Sequence, residues 1–516
     1  MQPVGAMRLR RAVTAVVVLA LLGLAWLVAA TGQAWLAAAW LAASGLGVYV
    51  YTARPAYTWR YLFPGLAGMA LFVVIPIAYT MRVGFTNYSS RNLLTFERAT
   101  RYLLEETTAG EGPRYTFTLH PDGGEFRLVF TPRRDEEGAA PAPAFVTRSL
   151  ALLAAPPPAL VEAVPLSTGS FQPGEPLSLR DLITHREVLS RLKVRFPDGT
   201  QASMAGLREF APLRPLYRQE ADGRLVNQRT GEQLRPDHQL GFYLTPAGEP
   251  VRPGFKVDVG LSNYGRLVAD PEFRGPFLAI FAWTVIFALL TVVLTVAVGC
   301  TLAVVLNWEA IRFRGAYRTL LFLPYAVPGF ISILVFRGLF NQNFGEINLI
   351  LDHFFGLRPS WFADPLLAKV MILIVNTWLG YPYVMVLCTG LIKAIPADLY
   401  EASTVEGAGP LTNFFRITAP LIIRPLTPLL IASFAFNFNN FVLISLLTDG
   451  RPDFLNTRVP AGTTDILVSY TYRIAFQDSG QDFGLAAAIS TVVFFLVAVL
   501  SMINLRLTRS AAEGPR

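Results

Sequence analysis

The chain has 516 residues, of which 53% are hydrophobic and 16% charged, and its mean hydropathy is +0.43. Soluble globular proteins carry about 25% charged residues, so this composition excludes an ordinary soluble protein and indicates an integral membrane protein. The formal net charge of +8 does not indicate nucleic-acid binding, because basic residues beside membrane spans serve to orient those spans.

The apolar runs predict an all-α polytopic membrane protein with eight transmembrane helices, since about 20 apolar residues are needed to cross a bilayer. The predicted spans lie near 12–30, 34–52, 61–81, 278–306, 318–339, 366–392, 425–447 and 483–505. The first two form an N-terminal hairpin within 1–60. A cleaved signal peptide is the alternative for the first span, but its apolar run is long and the second span follows after a short turn.

Residues 82–277 interrupt this pattern with polar sequence rich in Pro and Gly. The stretch 116–130 alternates apolar and polar residues on both sides of a turn, which predicts a β-hairpin. The Pro/Ala-rich run 139–160 is predicted to be a loop. We expect a mostly β extracytoplasmic domain here, with a disordered loop as the alternative. The remainder, 278–516, would be a membrane core with five spans.

Basic residues favour cytoplasmic N- and C-termini. With the N-terminus inside, the cytoplasmic side holds Arg8, Arg10, Arg11, Arg54, Arg60, Arg312, Arg314, Arg318, Lys393, Arg416, Arg424, Arg506 and Arg509. The short outside turns hold few basic residues, although Arg451, Arg458 and Arg473 weaken the contrast. This orientation places 393–424 in the cytoplasm and 82–277 outside.

The segment 393–424 is predicted to form a helix–turn–helix at the membrane surface. Pro396 suits the first turn of a helix, and Gly407 would end that helix in a left-handed conformation. Pro410 would begin a second short helix, and Pro420 would end it. Such a unit can fill a groove on a partner protein, and an ordinary interfacial hairpin is the alternative.

Two spans carry neutral polar groups that lipid would penalise. Their spacing of i, i+3, i+4 and i+7 puts each set on one helix face. The sixth-span stripe is Asn376, Leu379, Gly380 and Tyr383, and the seventh-span stripe is Ser433, Phe436, Asn437 and Asn440. Amides and flat rings suit a neutral polyhydroxyl ligand, which Gly380 would allow to approach the backbone. The alternative is hydrogen bonding between helices.

The fifth span contains Pro324, Pro328 and Gly329, which predict a bend that either lines a cavity or serves packing alone. Several sequence features that particular functions require are absent, which narrows the possible functions of the chain. There is no G-x-x-x-x-G-K-[ST] motif, and spans four, six and seven lack central charged residues of the kind that ion-coupled carriers use. Cys300 and Cys388 lie inside spans and the four histidines show no ligand spacing, so neither a disulfide framework nor a metal site is predicted.

Several stretches resemble the permease subunits of binding-protein-dependent ABC importers, in particular those for maltose and maltodextrin. They are LPYAVPGFISILVFRGLFNQNFGEIN (323–348), NTWLGYPYVMVLC (376–388), LYEASTVEGAGPLTNFFRITAPLI (399–422), SFAFNFNNFVLI (433–444), SYTYRIAFQDSGQDFGLAAAIS (469–490) and RTGEQLRPDHQLGFY (229–243). The likeness is dense from about residue 229 onward, weaker over 1–60, and over 92–225 is mainly one of length and position. The family's ATPase-coupling loop falls on Glu401, Ala402, Ser403, Gly407, Ile417 and Pro420, with Ser403 and Ala419 departing from its usual Ala and Leu.

The resemblance implies a multi-pass protein of the inner membrane with the ABC importer permease fold. It implies a second, MalG-like permease subunit, two copies of a MalK-like ATPase that bind ATP and Mg²⁺, and a periplasmic maltose-binding protein. It also implies that the two stripes bind sugar, that this chain holds no cofactor, and that it catalyses no reaction. The expected function is ATP-driven import of maltose or maltodextrins by alternating access. Alternatives are a permease for trehalose, sucrose or cyclodextrin, a secondary carrier, and a membrane-tethered receptor.

Overall fold

The computed structural model describes residues 4–32, 34–133, 143–150, 160–168, 171–308, 310–455, 457, 460–477 and 481–512. The chain divides into two compact units, Met1–Thr86 with Gly260–Arg516, and Asn87–Val259. The second unit is narrower than the predicted insertion, 82–277. The difference arises because helix Ile75–Gly84 extends past residue 82 and because the first unit also contains helix Ser262–Ala269 and a 37-residue helix, Pro271–Asn307. The latter starts before the apolar run, where Asp270 accepts a hydrogen bond from the Glu272 amide.

The first unit is helical, and π turns at Ala70–Val74, Phe414–Thr418 and Arg473–Gln477 join some of its helices. Its helices ahead of the second unit are α1 Val4–Ala30, α2 Ala34–Thr52, α3 Trp59–Met69 and α4 Ile75–Gly84. The second unit contributes α5 Phe96–Glu105, α6 Leu179–Thr184 and α7 Arg186–Arg191. The remaining helices of the first unit are α8 Ser262–Ala269, α9 Pro271–Asn307, α10 Arg314–Ala326, α11 Gly329–Leu339, α12 Glu346–Phe355, α13 Pro365–Lys393, α14 Ala397–Val405, α15 Pro410–Asn413, α16 Ala419–Phe438, α17 Phe441–Leu447, α18 Leu467–Tyr472 and α19 Phe483–Ala512.

The predicted spans coincide with helices, but they are not eight equal crossings. Within the described ranges, six helices are long and apolar enough to cross a membrane, and the α10–α11 pair, bent by 92°, makes a seventh if it counts as one span. The predicted second span falls on α2, whose described apolar part, Leu36–Thr52, is shorter. In the described part of the chain, the first unit is therefore a polytopic membrane protein in which the predicted fifth span is bent, the predicted seventh span is divided between α16 and α17, and the second is short.

The membrane unit packs around α9, α13, α16 and α19. Buried side chains of α9 and α13, such as Phe287 and Met371, share one apolar cluster with α11 and α17. A second cluster joins α9 to α18 and α19, and a third joins the far ends of α9 and α13 to the start of α16. These contacts fix α9 and α13 next to the helix that carries the seventh-span stripe.

The second unit is rich in β structure, which confirms the mostly β prediction. A closed barrel contains β2 Tyr115–Asp122, β3 Glu125–Pro132, β4 Phe145–Thr147, β5 Leu160–Pro165, β6 Lys193–Arg195, β7 Gln201–Gly206 and β8 Glu209–Ala211. Two smaller sheets contain β1 Thr107–Ala109 with β9 Leu213–Pro215, and β10 Tyr217–Gln219, β11 Leu225–Asn227, β12 Gln233–Asp237, β13 Phe242–Leu244 and β14 Pro250–Val251. Only β5 and β6 pair in parallel in the described barrel, because α6 and α7 supply the crossover between them.

The predicted hairpin at 116–130 is confirmed as β2 and β3, which pair in antiparallel register from Tyr115–Pro132 to Asp122–Glu125. Its turn uses Gly123 and Gly124 at positive φ, as tight hairpin turns require. Alternate residues of β2 enter the barrel core with Phe130 and Phe210. The loop predicted at 139–160 is partly wrong: its described part contains β4, whereas 139–142 and 151–159 lie outside the described residues.

Candidate functional site

The two polar stripes lie on α13 and on the end of α16. Asp364 accepts hydrogen bonds from the Leu366 and Leu367 amides, and Pro365 occupies the first turn, so α13 starts at a well-defined point. The α16 helix ends at Phe438, and α17 begins at Phe441 with the Asn440 side chain accepting from the Leu443 amide. The seventh span is therefore broken beside its stripe, so that Asn440 belongs to the next helix.

The amides of the two stripes bond to each other. The Asn376 Nδ2 donates to Asn437 Oδ1 at 2.7 Å and to Thr291 Oγ1 of α9 at 3.1 Å. The Asn440 Nδ2 lies 3.4 Å from Asn376 Oδ1, and the Asn437 Nδ2 donates to the Ser433 carbonyl at 2.9 Å. Asn376 and Asn437 are each only 5% exposed. This amide cluster, formed by Thr291, Asn376, Asn437 and Asn440, thus joins α9, α13, α16 and the start of α17, as the interhelical alternative predicts.

The aromatic members of the stripes are placed differently. The Tyr383 side chain is 45% exposed and the Phe436 side chain is 70% exposed. Leu379 packs against the apolar cluster of α9, α11 and α17. The stripes therefore combine a hydrogen-bonded amide cluster inside the helix bundle with two accessible rings, which is an arrangement of polar and flat apolar groups that can contact a ligand.

Gly380 has a packing role that the sequence did not predict. A Cβ atom at this position would lie 2.7 Å from Thr295 Cγ2 of α9, which is closer than atoms can approach. The absent side chain therefore allows α13 to pack against α9, and the approach of a ligand to the Gly380 backbone stays a prediction. Thr295 is itself buried, and its hydroxyl donates to the Thr291 carbonyl.

Thr291 was not predicted from the sequence, although its hydroxyl accepts a hydrogen bond from Asn376 and so belongs to the amide cluster. A signal was available in the fourth span, where Thr284, Thr291 and Thr295 recur at helical spacing and are all buried. Threonine is a weak indicator by itself because its hydroxyl commonly bonds to the carbonyl four residues earlier, as in Thr284 and Thr295 here.

The segment 393–424 contains the predicted helix–turn–helix. Its first helix, α14, ends as predicted at Gly407, which has φ +79°. The Gly407 amide donates to the Thr404 carbonyl and the Ala408 amide to the Ser403 carbonyl, each at 3.0 Å, which is the Schellman pattern of a helix C-terminus. Pro410 begins the second helix, α15.

Pro420 does not end that second helix, and this part of the prediction is wrong. The chain continues through the π turn Phe414–Thr418 into α16, so that Pro410–Phe438 is one helical rod of 29 residues. The wide turn, in which the Ala419 amide donates to the Phe414 carbonyl, accommodates a proline that has no amide hydrogen to donate. One end of the rod lies in the turn near Gly407, and the other end carries Asn437.

Side-chain contacts hold the two limbs of this hairpin together. The Ser403 hydroxyl donates to Asn413 Oδ1, and the Tyr400 and Thr418 hydroxyls lie 2.8 Å apart. Apolar side chains at the tip point outward instead: Val405 is 89% exposed and Leu411 is 75% exposed. Glu401 and Ala402 are also exposed, Ile417 is partly buried, and Pro420 is exposed. The hairpin is internally braced and presents an apolar tip.

Within the described ranges, no three His, Cys, Asp or Glu side chains are grouped so that they could hold a metal ion.

Comparison with known proteins gives the class of this membrane protein. Residues 295–511 match the family model "Binding-protein-dependent transport system inner membrane component", a range that includes the hairpin and all but one residue, Thr291, of the stripes and amide cluster. Residues 94–260 match the family model "Maltose transport system permease protein MalF P2 domain". The chain is an inner-membrane permease component with an inserted P2 domain, and it is not an enzyme.

Individual relatives narrow the class to one family. The chain is 51% identical over 488 residues to the maltose/maltodextrin transport system permease protein MalF of Escherichia coli (strain K12), covering 93% of this chain and 92% of that one. It is 50% identical over 473 residues to the MalF protein of Klebsiella aerogenes, covering 90% of each chain. A bacterial ABC transporter structure involved in import of the acidic polysaccharide alginate matches with a TM-score of 0.41 and 20% identity, over 50% of this chain and 85% of that one. The chain belongs to the MalF family of permease proteins, which confirms the resemblance inferred from the sequence.

Proposed function

We propose that this chain forms the sugar pathway of an ATP-driven importer of maltose and maltodextrins and works by alternating access. The observation that carries the proposal is the helical rod Pro410–Phe438. At 1.5 Å per residue it is about 43 Å long, so it can connect a cytoplasmic hairpin to a site inside the bilayer. A push on the hairpin would be transmitted along this continuous helix to Phe436 and Asn437.

The sugar would bind at the stripes. Tyr383 and Phe436 offer exposed rings for the apolar face of a sugar, and the amide cluster offers donors and acceptors for its hydroxyls. Because the amides already bond to each other, hydrogen bonds to sugar hydroxyls would replace these amide–amide bonds, and would not be added to donors and acceptors that lack a partner. Exchange of this kind favours a moderate affinity, which suits a site that must release its ligand.

The partners follow from the hairpin and from the family. The apolar tip with Val405 and Leu411 fits a groove on an ATPase subunit, of which two copies would bind ATP and Mg²⁺. A second, MalG-like permease would complete the pathway, and a periplasmic maltose-binding protein would deliver sugar. This chain would hold no cofactor.

The proposed orientation has both termini in the cytoplasm of a cell with an inner membrane and the β-rich unit outside. Of the arginines that weakened the charge bias, Arg473 is buried in ion pairs with Asp465 at 2.8 Å and Asp453 at 2.6 Å. Arg458 lies outside the described residues. The basic residues Arg312 and Arg416 are exposed on the proposed cytoplasmic side. With Arg473 paired to acidic residues and left out of the count, the excess of basic residues on that side is larger than the count from the sequence, and this excess favours the proposed orientation.

Reconstitution of the chain with its second permease, ATPase and binding protein in vesicles tests the proposal. We expect ATP-dependent and binding-protein-dependent uptake of maltose, in preference to trehalose, sucrose or cyclodextrin. Uptake of another sugar alone would change the substrate. Uptake by this chain alone without ATP would indicate a secondary carrier, and full function after deletion of 393–424 would indicate a receptor.

Tyr383→Ala tests the site itself. We expect uptake to fall about tenfold or more because the sugar loses one of its two exposed rings, whereas the complex still assembles and hydrolyses ATP. Tyr79→Ala is the matched control, since Tyr79 is a similarly exposed tyrosine on α4 away from the stripes. Equal uptake in both variants would contradict a sugar site at Tyr383.

A further inference from the structure

The broken fifth span has a sharp bend with a clear cause. The α10 helix ends at Ala326, α11 begins at Gly329, and their axes differ by 92°. Val327, which precedes Pro328, is extended with ψ 131°, as a residue before proline prefers. Pro324 removes one amide donor from the last turn of α10, so this turn is weakened. The bend is thus a place where two helical pieces can change their angle.

Tyr381 of α13 contacts α10 just before this bend. Its hydroxyl donates to the Leu321 carbonyl at 2.9 Å, and the residue is only 9% exposed. Its backbone lies where α13 packs closely against α9: a Cβ on Gly299 of α9 would be 2.9 Å from the Tyr381 carbonyl oxygen. Tyr381 therefore connects the tightly packed α9–α13 pair to α10.

The two sides of the bend are held by different neighbours. On the α10 side, the Arg318 guanidinium donates to the Leu306 carbonyl and to Asn307 Oδ1 at the end of α9. On the α11 side, Ile333 is buried in the same apolar cluster as Leu443 of α17. Because α17 begins directly after Asn440, movement of α11 and movement near the amide cluster are mechanically linked.

We propose that the Tyr381 hydroxyl is a latch that keeps α10 against α9 and α13 in the resting conformation. Tyr381 lies five residues after Asn376, about 140° around the helix, so it faces away from the sugar stripe. It is thus a positioning residue that controls the bend without touching the sugar. The inference rests on the proposed function, because release of the latch would accompany alternating access.

Tyr381→Phe in the complete complex tests the latch. The resting state loses one hydrogen bond, so ATP hydrolysis without binding protein should rise about two- to tenfold, and the number of sugars moved per ATP should fall. Tyr317→Phe is the matched control, because it makes the same chemical change at an exposed position of α10. Unchanged hydrolysis in Tyr381→Phe, or an equal fall with and without binding protein, would overturn the latch.

Two further measurements keep the test decisive. The analogue p-aminophenylalanine at position 381 retains a donor and should restore the wild-type ratio of uptake to hydrolysis, which a role in packing alone does not predict. If the Phe variant does not assemble, hydrogen exchange in the wild-type complex decides: amides of 318–328 should exchange more slowly at rest than in the vanadate-trapped state, and equal rates would overturn the latch. Failure of the proposed function is distinct, because the wild-type complex itself would then transport no sugar.

Discussion

The amide cluster and the hairpin 393–424 lie at opposite ends of one helical rod. They differ in whether the side chains that we propose to bind a ligand or a partner are already in contact with other groups of the chain. The polar groups of Asn376 and Asn437 are bonded to each other inside the helix bundle. The apolar groups of Val405 and Leu411 at the hairpin remain exposed. An unsatisfied amide at membrane depth costs several kcal/mol, whereas an exposed apolar tip in water is tolerated until a partner covers it.

This difference separates two kinds of variant. Changes in the amide cluster alter bonds that hold the helices together, so they should change stability as well as transport. Changes in the hairpin leave the fold of the bundle intact, so they should change the coupling of ATP hydrolysis to transport.

Gly407→Val should have the largest effect. An L-residue in the left-handed conformation costs about 1–2 kcal/mol, and a β-branched one costs more, so the turn between α14 and α15 should be displaced. We expect uptake to fall about tenfold or more, with normal membrane insertion of the chain. Uptake in vesicles and the yield of purified chain measure the two quantities.

Gly407→Asn is the control for that variant, because asparagine tolerates the left-handed region and a Cβ here meets no atom within 4 Å. It should keep most of the uptake. If the valine and asparagine variants transported equally well, the Gly407 conformation would not matter for coupling.

Asn437→Ala should destabilise the bundle. It removes the 2.7 Å acceptor of the buried Asn376 amide, and an unsatisfied buried donor costs about 1–3 kcal/mol. Thermal unfolding of the purified chain in detergent should therefore shift to lower temperature, in addition to any loss of uptake. A role of Asn437 in ligand binding alone would instead predict loss of uptake with the stability of the chain unchanged.

Asn439→Ala is the matched control, since the exposed Asn439 side-chain amide donates to the Ala435 carbonyl within the same stretch of chain and not to another helix in the part of the protein that the structure describes. Its unfolding temperature should stay close to that of the wild type. Unchanged stability in Asn437→Ala with uptake abolished would mean that Asn437 serves the ligand and not the helix packing.

Local sequence rules predicted the parts of the site that depend on one helix. The spacing of Asn376 and Tyr383 along α13 and the left-handed Gly407 follow from helix periodicity and from glycine chemistry, and the structure has both. The prediction that Pro420 ends a helix was wrong because the rule assumes a regular α-helical turn before the proline. Here a π turn precedes it and provides space for the proline ring. The bond from Asn376 to Thr291 also could not be predicted, because it depends on which face α9 presents after 85 residues of separation.

Gly380→Ala should show that the stripes also pack. The new methyl would lie 2.7 Å from Thr295 Cγ2, and overpacking of this kind costs about 1–3 kcal/mol. A second change, Thr295→Ser, removes that Cγ2 and keeps the hydroxyl that donates to the Thr291 carbonyl. The double variant should unfold at a higher temperature than Gly380→Ala. If serine gave no rescue, the glycine would be required for a reason other than this contact.

Ser403→Ala should have the smallest effect, although it restores the alanine that is usual in this loop. It removes the contact of Ser403 with Asn413, worth about 0.5–1.5 kcal/mol, but the 2.8 Å contact of Tyr400 with Thr418 still joins the two limbs. Uptake should therefore change less than about twofold.

In the double variant Ser403→Ala, Tyr400→Phe, the loss of uptake should be much larger than the sum of the losses in the two single variants. The reason is that the two limbs of the hairpin separate only when both contacts are absent. Hydrogen exchange of 399–418 would report that separation directly. Thr404→Ala is the control, since its hydroxyl donates only to the Tyr400 carbonyl within α14. Strict additivity would mean that the two contacts stabilise the hairpin independently of each other.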